Sequence, residues 1–143
     1  MSTTKLAKLT FKHIAEMDIA RSIAIVPIGS MEQHGPHLPI GMDTAVAQAL
    51  TEAALKELAG KVGHVLLPVM PIGQSPEHMD YPGTISFSAE TFLGVLKDIC
   101  ASLAHHGFKK ILFVNGHGGN ISMLGAVSFD VRLEYNVHVF MFN

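Results

Sequence analysis

Residues 22–28 read Ser-Ile-Ala-Ile-Val-Pro-Ile and are followed directly by Gly29 and Ser30. β-branched residues dominate this run and the Gly-Ser pair ends it, so the pattern predicts a buried β-strand. A continuous apolar run without polar alternation is typical of a strand in a parallel sheet. The segment decides the fold because the polar residues that follow it would lie at the carboxyl end of the strand.

The same kinds of pattern recur along the rest of the chain. Apolar runs predict strands at 65–70, 110–114 and 137–142. Apolar residues at helical spacing predict helices at 44–59 and 89–106, and residues 121–135 are also predicted to be helical. Residues 71–86 contain too much Pro, Gly and Ser for a regular element and are expected to form a loop. The alternation predicts a three-layer α/β/α fold with a mainly parallel sheet, in one domain over residues 1–143. Because the last predicted strand has no helix after it, we expect a fold truncated at its C-terminus.

Composition excludes several classes of protein. The 143 residues are 48% hydrophobic and 15% charged with a net charge of −2, which excludes a disordered chain and leaves no basic surplus for nucleic acid or an anionic membrane. The sequence contains neither a bilayer-spanning apolar stretch nor a secretory signal at residues 1–12, and the single Cys100 cannot form an internal disulfide. These features predict a cytoplasmic protein. The low charge content also predicts a surface partly covered by other subunits or further chain.

A cluster with metal-binding chemistry follows the first predicted strand. Glu32 and His34 are two positions apart, so in an extended segment both side chains point the same way. Asp43 lies at the predicted start of the next helix, with Gly60 just after that helix's end. Open α/β sheets bind ligands at this edge, and mixed carboxylate and imidazole donors suit Zn²⁺, Mn²⁺ or Fe²⁺. The alternative interpretation makes Asp43 only a helix N-cap and His34 only a structural histidine.

The second cluster is Asn-Gly-His-Gly-Gly-Asn at 115–120, after the strand at 110–114. Its three glycines permit tight turns, so His117 is predicted to reach the same crevice as Glu32, His34 and Asp43. Four such ligands would hold one metal and begin a second site, with Asp43 able to bridge metals about 3.5–4 Å apart. The alternative is a simple helix-entry turn. A phosphate-binding loop is not favoured, because the residues match neither known glycine-rich motif and no Lys follows.

The loop at 71–86 is predicted to contact substrate through Ser75 and His78, because a proline-stiffened polar loop beside a crevice can bind a ligand. Ser75 is not predicted to be a nucleophile, since no G-x-S-x-G elbow surrounds it. The remaining histidines are interpreted as surface or packing residues: His13, His37, His64, His105, His106 and His138.

Three motifs together resemble the creatininase (creatinine amidohydrolase) family. They are I-V-P-I-G-S-M-E-Q-H-G-P-H-L-P-I-G-M-D-T at 25–44, S-P-E-H-M-D-Y-P-G-T-I-S-F at 75–87 and N-G-H-G-G-N at 115–120. They occur in the family's order over nearly the whole chain. The resemblance implies an α/β fold with two divalent metals, hydrolysis of an amide-type C–N bond that is often in a ring, and a homo-oligomer, often a hexamer.

The resemblance also implies a role for each site residue. Glu32 and His117 would hold one metal, His34 the other, and Asp43 would bridge them, while Ser75 matches a substrate-contacting position. In creatininase proper a Glu stands two residues after the ligand His, where this chain has Gly119. Family chains are longer, and their C-terminal part carries further catalytic and metal-binding residues, so the second metal site is expected to be incomplete here.

The function expected from these features is metal-dependent hydrolysis of a non-peptide amide bond in a small molecule by an activated water. One alternative is a related formamide deformylase or small-peptide peptidase on the same site. The non-enzyme alternative is a truncated, inactive subunit or fragment that folds on a partner. The sequence leaves the general acid/base and the natural substrate unassigned.

Overall fold

The computed structural model describes residues 5–58 and 60–143. Within them lie four strands and four α-helices: α1 (Phe11–Ala15), β1 (Ile23–Ile28), α2 (Met42–Glu57), β2 (His64–Leu66), α3 (Ala89–His105), β3 (Lys110–Asn115), α4 (Ile121–Tyr135) and β4 (His138–Phe142). None of the helices in this part of the chain is long and apolar enough to cross a bilayer.

The strands form one parallel sheet in the order β2-β1-β3-β4. One face packs Leu55 of α2 against Ile25, and the other packs Phe92 of α3 and Leu124 of α4 into the main core around Phe113. Helix α2 connects β1 to β2 on one side. Helix α3 then connects β2 to β3 on the other side of β1, and α4 connects β3 to β4. Right-handed crossovers in opposite directions place helices on opposite faces, which confirms the predicted three-layer α/β fold.

The two faces of the sheet are covered unequally. Leu112 and Val114 of β3 pair with Phe140 and Phe142 of β4, so all four side chains share the face on which α2 lies. Because α2 covers β1 but does not extend over β4, Phe140 and Phe142 remain 51% and 53% exposed. The apolar run at 137–142 therefore forms an edge strand of the described sheet with one poorly covered face.

The bounds of α2 and β2 differ most from the predicted ones. Helix α2 begins at Met42 with Gly41 as its N-cap, so the prediction of Asp43 as N-cap is wrong: Asp43 lies in the first turn and its carboxylate points to other loops. The helix ends at Glu57, and the predicted end, Ala59, lies outside the described residues. The strand predicted at 65–70 is only His64–Leu66, and the chain meets β1 again at an isolated bridge between Met70 and Ile28.

Candidate metal centre

The candidate centre lies at the carboxyl ends of β1 and β3. These strands are neighbours from which the chain departs in opposite directions, the position at which open α/β sheets form a ligand crevice. Glu32 follows β1, Asp43 lies in the first turn of α2, and His117 follows β3. One ligand atom from each of these three buried residues lies within 4.8 Å of the other two. The fold thus brings together residues that the sequence separates by up to 85 positions.

His117 presents one ring nitrogen to two carboxylates. Its Nδ1 lies 3.2 Å from Glu32 Oε1 and 3.0 Å from Asp43 Oδ2. Its Nε2 lies 2.9 Å from the carbonyl oxygen of Gln74, which can only accept a hydrogen bond, so Nε2 carries a proton. In the neutral ring this leaves the Nδ1 lone pair facing two carboxylate oxygens. That arrangement is stable only with a proton or a cation between them.

The residues fit a divalent metal. Glu32 is 5% exposed, and its Oε2 is buried without a hydrogen-bond partner. Within the described part of the chain, the basic groups within 4.0 Å of Glu32 and Asp43 are all histidines. Two buried carboxylates without a Lys or Arg are costly, and a divalent cation would offset their charge. Two oxygen donors and one imidazole nitrogen are the donor types of zinc and manganese sites.

His34 lies on the other side of Asp43. Its Nε2 is 2.8 Å from Asp43 Oδ1, and its Nδ1 is 3.2 Å from the Glu32 carbonyl oxygen. Partial burial opposes protonation of His34, but the hydrogen bond to the Glu32 carbonyl and the Asp43 carboxylate together raise its pKa above the ordinary value. Asp43 therefore directs one oxygen toward His117 and the other toward His34, a geometry compatible with a bridging carboxylate.

The two predicted substrate contacts lie in different surroundings. Ser75 is fully buried, and its hydroxyl lies 3.2 Å from His117 Nε2, on the ring edge that faces away from the carboxylates. The side chain of His78 is 26% exposed, and its Nε2 lies 3.6 Å from Glu32 Oε1. The structure thus places Ser75 behind His117 and His78 at the mouth of the centre, and their contacts with substrate stay predictions.

Ser30, which the sequence analysis passed over, holds Asp43 in place. Its hydroxyl donates a 2.7 Å hydrogen bond to Asp43 Oδ2, and its carbonyl oxygen accepts one from the Thr44 hydroxyl. Ser30 is fully buried at the end of β1. The sequence signal was present, because a small polar residue at the carboxyl end of a buried strand lies where such a sheet binds ligands.

Asn120 ties together the loops that follow β1, β2 and β3. Its side-chain nitrogen donates to the Gly29 carbonyl and to Asn115 Oδ1, and its side-chain oxygen accepts from the Gln74 N–H at 3.0 Å. Asn115 Oδ1 in turn accepts a hydrogen bond from the His117 N–H. These bonds satisfy buried polar groups and fix the carbonyl that orients His117. The two asparagines flank His117 in the sequence, and that position was the available signal.

Two glycines of the 115–120 turn are required by close packing. A Cβ at Gly116 would lie 2.4 Å from the carbonyl oxygen of Asp43. A Cβ at Gly119 would lie 2.4 Å from both the Gln74 carbonyl oxygen and His117 Nε2. The predicted close approach of backbone is therefore an approach to neighbouring loops of the protein itself.

The other candidate donors lie away from the cluster. His13, His37, His105, His106 and His138 are exposed, and His64 is buried at the start of β2. Cys100 is fully buried in the main core, and burial raises the pKa of its thiol to about 12. A thiol in that environment is neither a nucleophile nor a ligand for this centre.

Comparison with known proteins shows which family and which relatives the chain resembles. The family model for creatininase, described as creatinine amidohydrolase, matches residues 7–143. The mycofactocin precursor peptide peptidase of Mycobacterium ulcerans is 38% identical over 115 residues, 77% of this chain and 46% of that protein. The creatinine amidohydrolase of Pseudomonas putida is 29% identical over 135 residues, 90% of this chain and 50% of that protein. The chain thus spans about half the length of the curated relatives it matches.

Solved structures show the same fold. A creatininase mutant complexed with creatine superposes with a TM-score of 0.87 at 22% identity, over 99% of this chain and 58% of that one. Two further creatininases with this fold, at 23% and 22% identity, are described as a manganese form and a zinc–zinc form.

Proposed function

This chain belongs to the creatininase family, and from that premise we propose that it forms the metal centre of an amidohydrolase. The proposed reaction adds water across an amide-type C–N bond of a small molecule and yields a carboxylate and an amine. The observation that carries the proposal is His117 Nδ1, which faces oxygens of both Glu32 and Asp43 while Gln74 holds the opposite nitrogen.

The proposed ligand assignment follows the geometry. Glu32, His117 and Asp43 Oδ2 would hold one metal, and Asp43 Oδ1 with His34 Nε2 would begin the second site. Zinc and manganese suit these donors, and relatives of the same fold are described as carrying them. For the second site the described residues supply two donors. We propose that a further donor from outside these residues completes it.

When bound, a divalent metal would polarise the scissile carbonyl and lower the pKa of a coordinated water from 15.7 to about 7. The chain's own residues prepare this chemistry. Ser30 and Gln74 orient Asp43 and His117, so the donor atoms need little reorganisation when the metal binds. Because the Nε2 proton of His117 is engaged by a carbonyl, His117 serves as a ligand and not as a proton carrier.

Metal content tests the assignment. We expect the purified chain to bind zinc, and Glu32→Gln to lose most of that binding because it replaces a carboxylate ligand with a weak neutral one. Glu77→Gln removes the same charge from an exposed position and should bind zinc like the wild type. Zinc per chain after dialysis gives the result. A wild type that binds no zinc, or equal zinc in both variants, would contradict the proposal.

The substrate class needs a separate experiment. A small-molecule amide is the leading proposal, and the 38% identity to a peptide peptidase favours a short peptide as the second candidate. Creatinine, a formamide and a short modified peptide should be tested as substrates of the zinc-loaded chain, with Glu32→Gln as the blank. Hydrolysis confined to the peptide would replace the small-molecule proposal, and hydrolysis confined to the formamide would favour a deformylase.

We also propose a homo-oligomer in a reducing, cytoplasmic compartment. Phe129 and Leu133 of α4 are 65% and 70% exposed, and Phe140 and Phe142 of β4 are half-exposed, an unusual amount of apolar surface for a monomer. A hexamer is the state implied by the resemblance. Sedimentation should show an assembly larger than 15.4 kDa, and a stable monomer would contradict this part of the proposal.

A further inference from the structure

We infer that Gln33 fixes His78 in the tautomer with its proton on Nε2, and that this N–H is the hydrogen-bond donor for an oxygen of the bound ligand. The inference rests on the proposed function, because the ligand is taken to lie at the metal centre. It adds a positioning residue, Gln33, which lies within the motif at 25–44 but to which the sequence assigned no role.

The orientation of the Gln33 amide is determined by a backbone donor. The Gly35 N–H lies 2.9 Å from Gln33 Oε1, and an N–H can only donate. Gln33 Oε1 is therefore the acceptor at that contact, which leaves Nε2 as the amide atom on the other side. That nitrogen lies 3.2 Å from His78 Nδ1.

The amide then determines the tautomer of His78. An amide NH₂ can only donate, so His78 Nδ1 must accept and carries no proton. In the neutral ring the proton is on Nε2, the atom that faces the centre. The backbone of His78 is held as well, since its carbonyl oxygen accepts hydrogen bonds from the Thr84 hydroxyl at 2.8 Å and the Tyr81 N–H at 3.0 Å.

The Nε2–H of His78 remains available for a ligand. Its distance to Glu32 Oε1, 3.6 Å, exceeds the range of a hydrogen bond. The His78 side chain is 26% exposed, whereas those of Glu32 and His117 are each 6% exposed. A molecule that enters from solvent and reaches the carboxylates therefore meets this N–H. A fixed donor there favours an acyl or carboxylate oxygen and disfavours an ammonium group, which can only donate hydrogen bonds.

Nitrogen NMR of the histidine rings tests the tautomer. Long-range proton–nitrogen correlation spectra distinguish the two neutral tautomers from each other and from the doubly protonated ring. We expect a single Nε2–H tautomer for His78 in the wild-type chain and a mixture in Gln33→Met, which keeps the side-chain length but removes the donor. Gln48→Met, an exposed glutamine on α2, is the matched control and should leave the tautomer unchanged. An Nδ1–H tautomer in the wild type, or no change in Gln33→Met, would overturn the inference.

Acetate binding to the zinc-loaded chain tests the donor role. We expect His78→Ala to weaken acetate binding at least about tenfold, the usual effect of losing a hydrogen bond to a charged group, with zinc content unchanged. His37→Ala, an exposed histidine of the adjacent loop, should bind acetate like the wild type. Equal acetate affinity in His78→Ala would refute the donor role. A chain that binds no zinc would contradict the proposed function and the donor role, whereas the tautomer is decided separately in the metal-free chain.

Discussion

The two sides of Asp43 are built differently. The inner side comprises Glu32, His117 and Asp43 Oδ2, which are all buried. The second carboxylate oxygen of Glu32, Oε2, has no hydrogen-bond partner. The outer side comprises Asp43 Oδ1 and His34, whose side chain is 23% exposed. One chain therefore supplies a nearly complete set of donors on one side of a shared carboxylate and only a partial set on the other.

Gly119 leaves room for the bond that directs His117 toward the inner side. In creatininase proper, which this chain resembles, a Glu stands at this position. Here the Gln74 carbonyl and His117 Nε2 occupy the space of a side chain at Gly119. The hydrogen bond between them orients His117 toward the inner side. A side chain at position 119 would collide with both partners of that bond and would disturb the orientation of His117.

Removing a ligand of the inner side should have the largest effect. In His117→Ala we expect zinc affinity to fall by more than about a hundredfold, since even residues that only orient ligands account for about 10–100-fold. Competition with a chromophoric chelator measures the affinity. His105→Ala removes an exposed histidine from α3 and should leave the affinity unchanged. If both variants retain wild-type affinity, the two sides of Asp43 do not differ as described.

Adding a carboxylate at position 119 tests the steric argument. We expect Gly119→Glu to lose stability by about 1–3 kcal/mol, the usual effect of overpacking, and to weaken zinc binding rather than add a second ion. Gly119→Ala should show the same loss of stability, because its Cβ already meets the Gln74 carbonyl. Gly118→Ala is the control, since a Cβ there meets no atom within 4 Å. Denaturant unfolding and zinc titration give both results, and a second tightly bound zinc in Gly119→Glu would show that the turn can serve both sides.

Ser30→Ala should have a smaller effect. It removes the 2.7 Å hydrogen bond to Asp43 Oδ2 but leaves every proposed ligand in place. We expect zinc affinity to fall about tenfold, at the lower end of the range for residues that orient ligands. Ser88→Ala is the control. It removes the exposed N-cap of α3, so it should lower stability without changing zinc affinity. Equal zinc affinity in wild type and Ser30→Ala would mean that α2 alone positions Asp43.

Much of the fold followed from local patterns. The apolar run at 22–28 predicted β1 to within one residue, and the helix predicted at 121–135 is α4 to the residue. The strand ends then placed Glu32 and His117 at one edge of the sheet. The exposure of Phe140 and Phe142 could not be read from their apolar run, since it depends on how far α2 extends over the sheet.

The finer geometry of the site was beyond the sequence for a physical reason. Gln33 and His78 are 45 positions apart and meet only because two irregular loops pack together. Ser75 was predicted to contact substrate, yet its burial behind His117 depends on the path of the 71–86 loop. Asp43 was predicted both as a metal ligand and as the helix N-cap. The helix begins at Met42, so its N-cap is Gly41. Contacts between loops leave no periodic trace in a sequence.

His34→Ala should affect the inner side least and therefore gives the sharpest test of the comparison. His34 contacts Asp43 Oδ1 and the backbone carbonyl of Glu32, whereas the inner side uses Asp43 Oδ2 and the side chains of Glu32 and His117. We expect the first equivalent of zinc to bind within about tenfold of wild-type affinity, while any weaker second equivalent disappears. Calorimetric titration resolves the two steps. If His34→Ala no longer binds the first equivalent of zinc, the residues on the two sides of Asp43 form a single zinc site.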